Sequence, residues 1–173
     1  MIGLFRWLPG SGDCARKKLK MGSDMDALRK EFLGKTYPKF SVAVERGRIA
    51  QFARSIGTDD AVFFDEDAAK QQGYRAIPAP PTFAYSITMD AGQAFNVLED
   101  MGVEKSKAMH GEQGFTYFAD ICAGDTITGQ QKVTDIYDKK NGALIFFVTE
   151  MKLENQAGTH VADLHSVIVI RNG

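Results

Sequence analysis

Two side chains that could exchange protons near neutral pH stand two residues apart in this sequence. His110 and Glu112 flank a single glycine within residues 109–118, where alternating residue types predict a β-strand. Side chains two apart on a strand share one face. Histidine titrates near neutrality, and burial raises the pKa of a glutamate. The pair could therefore act as an acid and a base, and the alternatives are a solvated or subunit-facing strand edge or a histidine satisfied by a neighbour.

Other arrangements of reactive side chains have little support. His165 alternates with Asp163 on a predicted strand, which is typical of a polar face. No Gly-x-Ser-x-Gly motif is present, and no histidine stands beside Cys122 in the sequence. Cys14 and Cys122 lie far apart and form no Cys-x-x-Cys motif, which argues against structural zinc and against a disulfide framework. We expect no metal and no cofactor.

The composition limits the classes of partner and location. The net charge is -1, whereas non-specific nucleic-acid binding needs a basic face, so we expect no nucleic-acid partner. No apolar run approaches the roughly 20 residues of a membrane span. The interpretation is a soluble, cytoplasmic protein. Residues 1–24 begin with a short apolar run and continue into a basic cluster, so we expect a disordered or non-native leader, with a docking or membrane-surface arm as the alternative.

Residues 25–173 are expected to form one domain, built around residues 79–102. After Pro80 and Pro81, apolar residues recur there at steps of three and four, and Asp90 is the only charge before position 97. This pattern predicts one long, buried helix that ends at Gly102. Short helices over 26–33, 45–57 and 65–73 and a strand over 40–44 are predicted before it. Four strands follow, over 109–118, 126–137, 143–153 and 160–170, and the short turns between them indicate an antiparallel meander.

An antiparallel sheet wrapped around one long central helix is an α+β arrangement known as the hot-dog fold. Two blocks of the sequence, 56–86 and 110–129, resemble the MaoC-like hydratase/dehydratase family in their order and spacing. The resemblance points to the branch that forms the N-terminal dehydratase half, or the substrate-holding subunit, of 3-hydroxyacyl-thioester dehydratases. It covers roughly residues 32–172 and implies an acyl-thioester site beside the central helix.

The chain departs from the catalytic loop of that family. Active relatives carry Gly-Asp-x-Asn-Pro-x-His-x-Asp before the central helix, where the first Asp and the His transfer protons. Here Gly57 and Asp65 match the ends of this motif, but Thr58 replaces the catalytic Asp and Phe63 replaces the His. Neither replacement exchanges protons usefully near neutral pH. The resemblance implies an acyl-thioester site, and these residues deny the usual chemistry at it.

The remaining candidates concern substrate binding. Six apolar or aromatic side chains could line an acyl tunnel, and each could instead be core: Phe63, Phe64, Tyr74, Phe83, Ile87 and Phe95. Arg75 could contact the phosphate of a thioester carrier, or could be a plain surface charge.

Three functions remain open from the sequence. The first is the substrate-binding chain of an (R)-specific enoyl-thioester hydratase or 3-hydroxyacyl-thioester dehydratase, with a second hot-dog chain supplying Asp and His. The second is a self-sufficient homodimeric hydratase or thioesterase that uses His110 and Glu112. The third is a non-enzymatic acyl-CoA-binding module. In each case the ligand is an acyl thioester of CoA or of an acyl-carrier protein, and we expect a homodimer or a heterodimer.

Overall fold

A computed structural model describes residues 25–172, and the leader expected over 1–24 lies outside the described residues. The chain has five α-helices and five strands within this range. The helices are α1 (Met25–Phe32), α2 (Arg46–Ser55), α3 (Glu66–Gln71), α4 (Phe83–Asp90) and α5 (Asn96–Met101). The strands are β1 (Phe40–Ala43), β2 (Ala108–Tyr117), β3 (Thr126–Lys139), β4 (Leu144–Glu154) and β5 (His160–Arg171). The α+β class expected from the sequence is confirmed. No helix among the described residues is both long and apolar enough to cross a membrane.

All five strands form one antiparallel sheet in the order β1-β3-β4-β5-β2. Strands β3, β4 and β5 form the predicted meander. The prediction was wrong for β2, which pairs with β5 at the far edge instead of with β3. The link after β2 is no tight turn, because it bonds to the segment before α4: Ala79 donates to the Ile121 carbonyl and Ala123 to the Ile77 carbonyl.

The segment expected to be one long helix is two short helices. Helix α4 ends at Asp90 and α5 begins at Asn96, so residues 91–95 separate them. Gly92 has a φ of +69°, in the left-handed region that glycine occupies without strain. The Gln93 N–H bonds back to the Thr88 carbonyl and closes α4. Apolar spacing continues through this stretch, which explains why the periodicity alone did not reveal the break.

The two helices cover two separate apolar cores on the inner face of the sheet. The first core lies under α2 and α4 and includes Phe40, Ile49, Phe83, Ile87, Ile127, Leu153 and Leu164. The second core lies under α1 and α5 and includes Leu28, Phe32, Leu98, Ile136, Ile145, Phe147 and Ile170. Each core buries its own helices against its own part of the sheet.

Candidate functional site

A cleft of about 230 Å3 opens beside the start of α4. Its walls are mostly apolar, and they come from the turn before α3, the proline-rich segment, α4 and the end of β2. The lining residues are Phe63, Tyr74, Pro78, Ala79, Pro80, Pro81, Ala84, Tyr117, Asp120 and Ile121. A small apolar pocket with a few polar groups is the usual form of a ligand site.

The proline-rich segment sets the position of the cleft. Residues before prolines avoid the helical region, and 77–80 runs without helix or turn as far as a turn at Pro81 and Thr82. It is held along the link after β2 by the bond from Ala79 to Ile121, with 2.7 Å between N and O. Helix α4 then starts at once, because the Phe83 N–H bonds to the Pro80 carbonyl at 2.9 Å. The proline-rich segment, the start of α4 and the link after β2 are therefore packed together on one side of the molecule.

The loop that carries catalytic residues in active relatives is here held by its own side chains. The Asp60 carboxylate accepts from the Val62 N–H at 3.1 Å, and the Asp65 carboxylate accepts from the Ala68 N–H at 2.8 Å. Both are helix N-caps, a structural role that these side chains commonly have. The Thr58 hydroxyl accepts from the Asp60 N–H. The loop turns its Phe63 ring into the cleft wall and directs neither carboxylate into it.

Few groups in the cleft are able to transfer a proton. All three histidines of the sequence fall within residues 25–172, and none of them lines the cleft. The polar side chains that do line it are Asp120, Tyr74 and Tyr117. The Tyr117 hydroxyl donates to the Pro81 carbonyl, and burial raises the pKa of Tyr117 to about 12. The cleft is therefore able to hold an apolar ligand, and no histidine is among the residues that line it.

Of the six predicted tunnel residues, two line the cleft and two lie in the first core. Phe63 and Tyr74 are in the cleft wall. Phe83 and Ile87 are almost fully buried, and the Phe83 ring meets Phe52 edge-on with 5.4 Å between ring centroids. For these two the alternative of a core position is correct, since α4 turns them toward the sheet.

The other two predicted tunnel residues also lie away from the cleft. Phe64 follows Phe63, but its ring packs under the Arg54 guanidinium, 5.3 Å from the ring centroid. Phe95 packs against the second core beyond the helix break, and the Lys105 ammonium lies 4.3 Å from its ring centroid. The break at 91–95 is the reason that Phe95 is not on the same surface as Phe63.

The predicted acid–base pair is separated by a β-bulge. His110 lies opposite Ile168 and Glu112 lies opposite Val167, so the register shifts at Gly111. Because directly opposed residues point to the same side, His110 faces α4 and Glu112 faces the outside of the sheet. The His110 ring accordingly lies 5.1 Å from the Tyr85 ring of α4. The prediction that His110 and Glu112 share a face was wrong.

Arg75 is bound to a carboxylate of the same chain. Its guanidinium donates to Asp125, which is fully buried and also accepts from the Cys122 N–H at 2.8 Å and from Gln156 at 3.2 Å. The hydrogen bond from Arg75 to Asp125 is the main reason that the pKa of Arg75 is raised. Arg75 is not among the residues that line the cleft. The structure therefore gives it a partner other than a carrier phosphate.

Tyr117 and Asp120 are cleft residues that the sequence reasoning missed. They lie at the end of β2 and in the following link, and only the pairing of β2 with β5 brings them to the start of α4. No three His, Cys, Asp or Glu side chains among residues 25–172 lie close enough together to hold a metal ion.

Comparison with known proteins gives consistent matches. A family model described as "FAS1-like, dehydratase domain region" matches residues 31–164. A UPF0336 protein of Streptomyces avermitilis is 33% identical over 148 residues, which is 84% of this chain and 96% of that protein.

Solved structures share the fold. One is the C-terminally truncated HadBC (3R-hydroxyacyl-ACP dehydratase) complex from Mycobacterium tuberculosis, with a TM-score of 0.69 and 24% identity over 80% of this chain and 97% of that chain. Another is a MaoC-like dehydratase with a TM-score of 0.72 and 22% identity over 82% of this chain and 43% of that chain. These likenesses confirm the hot-dog fold, and the family model agrees with the dehydratase resemblance carried by the two sequence blocks.

Proposed function

Because this chain belongs to the FAS1-like dehydratase domain family, we propose that it is the substrate-binding chain of a two-chain hydro-lyase. The reaction is the reversible addition of water to a 2-enoyl thioester, which gives an (R)-3-hydroxyacyl thioester. In this proposal the chain holds the acyl group, and a second hot-dog chain supplies the Asp and the His. The thioester is carried by CoA or by an acyl-carrier protein, and no other cofactor is needed.

One observation carries the proposal: the cleft is present while the family's histidine position, filled by Phe63, is part of its apolar wall. Thr58, at the family's aspartate position, is used in a loop hydrogen bond. A phenyl ring at the former histidine position adds apolar surface for an acyl chain and removes the proton donor. Those changes suit binding and not acid–base chemistry by this chain alone.

The free edge of the sheet is an argument for a partner chain. Strand β2 has ten residues and pairs only with β5 among the described strands, so its other side presents unpaired backbone groups. Met109 is exposed on this strand, and Phe118 is exposed directly after it. A long edge with exposed apolar residues is where another chain adds a strand. The HadBC structure is itself a complex, which agrees with a two-chain arrangement.

The self-sufficient alternative lacks the geometry it needs, since His110 and Glu112 face opposite sides of the sheet. A cytoplasmic location fits a chain that works on CoA or carrier-protein thioesters, and it stays a prediction.

The decisive experiment is reconstitution. The purified chain is mixed with a hot-dog chain that carries the intact Asp/His loop, and loss of enoyl-thioester absorbance is followed with a 2-enoyl-CoA and with the matching carrier-protein thioester. We expect no turnover by this chain alone and turnover above the partner's own rate in the mixture. Turnover by this chain alone would overturn the proposal. Acyl-thioester binding without turnover in any mixture would instead identify a binding module.

A further inference from the structure

A row of polar side chains crosses the inner face of the sheet between the two apolar cores. Thr149 of β4 lies opposite Ser166 of β5, and Ser166 lies opposite Gln113 of β2. The Ser166 hydroxyl donates to the Gln113 side-chain oxygen at 2.6 Å, and the Gln131 amide nitrogen donates to the Thr149 hydroxyl at 3.3 Å. We call these four residues, Gln113, Gln131, Thr149 and Ser166, the polar seam.

One member of the polar seam is incompletely bonded. Gln131 is 5% exposed, and its side-chain oxygen has no hydrogen-bond partner among the described residues. If the oxygen and nitrogen of the Gln131 side chain exchange positions, the nitrogen becomes the atom without a partner, because the Thr149 hydroxyl bonds to only one of the two atoms. A buried polar atom without a partner costs free energy, so such atoms are usually paired with ordered water.

The space beside Gln131 has the size of a single water molecule. A cavity of about 20 Å3 is lined by Gln131, Thr149 and Ser166 of the seam and by Tyr85, Thr88 and His110, and four apolar side chains make up the rest of its wall. A cavity holds a water once it offers roughly 10–15 Å3 and two to four polar partners. Gln131, Thr149 and Ser166 bring such partners from the sheet, and Thr88 and His110 add more from α4 and β2.

The cleft and the polar seam lie one after the other along the same interface. Ala84 lines the cleft and Thr88 lines the small cavity, which places them one turn or about 6 Å apart on α4. On β2, Tyr117 lines the cleft and His110 lines the cavity, with Phe115 between them on the same face. The Phe115 ring stacks on Tyr117 at 6.2 Å between centroids. An acyl chain that extends inward from the cleft along α4 and β2 therefore meets the polar seam next.

We propose that the polar seam holds one ordered water molecule bound to Gln131, and that this hydrated seam ends the acyl site and limits the length of chain that binds. The limit on chain length rests on the proposed function, whereas the water site does not. A longer apolar chain must displace the water and leave polar groups of the seam without partners, which is unfavourable. Short chains stop in the cleft and do not reach it.

The first test needs no variant. A crystal structure of the chain is expected to show a water within about 2.7–3.2 Å of the Gln131 side-chain amide. A well-ordered seam with no water there would overturn the inference, whatever the chain binds.

The second test measures binding of saturated acyl-CoA thioesters of increasing chain length. We expect the affinity of the wild-type chain to rise and then stop rising at one length. Gln131→Met removes the polar end at similar volume, and it is expected to raise affinity for the longest chains by about tenfold with little effect on short ones. The matched control is Gln130→Met, since Gln130 is on the other face of the same strand, where it donates to the Tyr37 carbonyl.

The outcomes separate the two proposals. Binding with the same length profile in wild type and Gln131→Met overturns the limit on chain length and leaves the proposed function standing. Absence of acyl-CoA binding by the wild-type chain overturns the proposed function and the limit on chain length together, while the crystal structure still decides the water site.

Discussion

The Tyr117 hydroxyl donates a hydrogen bond to the Pro81 carbonyl, and this bond joins the end of the edge strand β2 to the start of α4. Both residues line the cleft. At the cleft, the strand and the helix are therefore held together by a hydrogen bond between a side chain and a backbone carbonyl as well as by apolar packing. The bond requires the neutral phenol, because a phenolate has no proton to donate.

Replacing Tyr117 with Phe is expected to weaken acyl-thioester binding by up to about fivefold, because the cleft wall loses an internal bond worth roughly 1 kcal/mol and must then be ordered by the ligand. Titration calorimetry with an acyl-CoA measures the change. Tyr137→Phe is the control, because Tyr137 stacks on Phe146 away from the cleft. An equal loss in both variants would contradict a specific role for the Tyr117 bond.

Alkaline pH is expected to break the same bond. Burial raises the pKa of Tyr117 from 10 in its ordinary state to about 12. The folded protein holds this proton more tightly than the unfolded chain, so its contribution to stability is complete below pH 10 and is lost as pH rises through about 12. The phenolate absorbance of wild type minus that of Tyr117→Phe should titrate above the ordinary tyrosine value of about 10. A difference that titrates at an ordinary tyrosine pKa would refute the expected shift.

Phe63 and Phe64 form a matched pair for testing the cleft. Phe63→Ala enlarges the cleft and is expected to weaken binding of a 2-enoyl-CoA by about tenfold, through lost apolar contact. Phe64→Ala removes a ring that packs under Arg54 and is expected to leave binding within about twofold. The prediction is contradicted if the two variants lose affinity equally while both remain folded by circular dichroism.

Arg75 is expected to matter for stability and not for ligand binding. Arg75→Ala leaves the buried Asp125 carboxylate with only its bonds from Cys122 and Gln156. The variant should be destabilised by about 1–3 kcal/mol. We expect the lower part of this range, because water already screens the half-exposed Arg75 side chain. Urea unfolding measures this. Arg75→Lys should recover part of the loss. If Arg75→Ala is as stable as wild type but binds acyl-CoA more weakly, the original expectation of a phosphate contact is correct.

The edge of the sheet is tested with Phe118, which is exposed next to β2. Phe118→Asp is expected to weaken association with a catalytic hot-dog partner at least tenfold, because it puts a charge into an apolar contact. The control is Leu33→Asp, an equally exposed apolar residue after α1. Analytical ultracentrifugation of the mixtures gives the dissociation constant of each variant with the partner. If Phe118→Asp and wild type associate equally, the partner does not use this edge.

Much of the fold could be predicted from the sequence because local rules decide it. Alternation in β3, β4 and β5 and the short turns between them were sufficient for the meander. The partner of β2 could not be predicted, because nothing in the local sequence shows that the link after β2 bonds to the segment before α4. The helix break was hidden because apolar spacing continues across Gly92.

The site was only partly predictable for the same reason. Phe63 and Tyr74 came from the resemblance, whereas Tyr117 and Asp120 reach the cleft only through long-range pairing. The glycine between His110 and Glu112 was a signal that could have warned of a bulge, since glycine within a strand often marks one. A Cβ atom added at Gly111 would lie only 2.8 Å from a methyl group of Val169, so this position has no room for a side chain.

The strand order also has a consequence for how the chain folds. Hairpins β3–β4 and β4–β5 join residues that are close in sequence, so they need little loop closure and are expected to form early. Strand β2 pairs with β5 across some fifty residues, and its closure costs more chain entropy. Since β2 supplies one wall of the cleft, the ability to bind an acyl ligand is acquired only when this late pairing is complete. The recovery of ligand binding during refolding should therefore lag behind the recovery of β-structure.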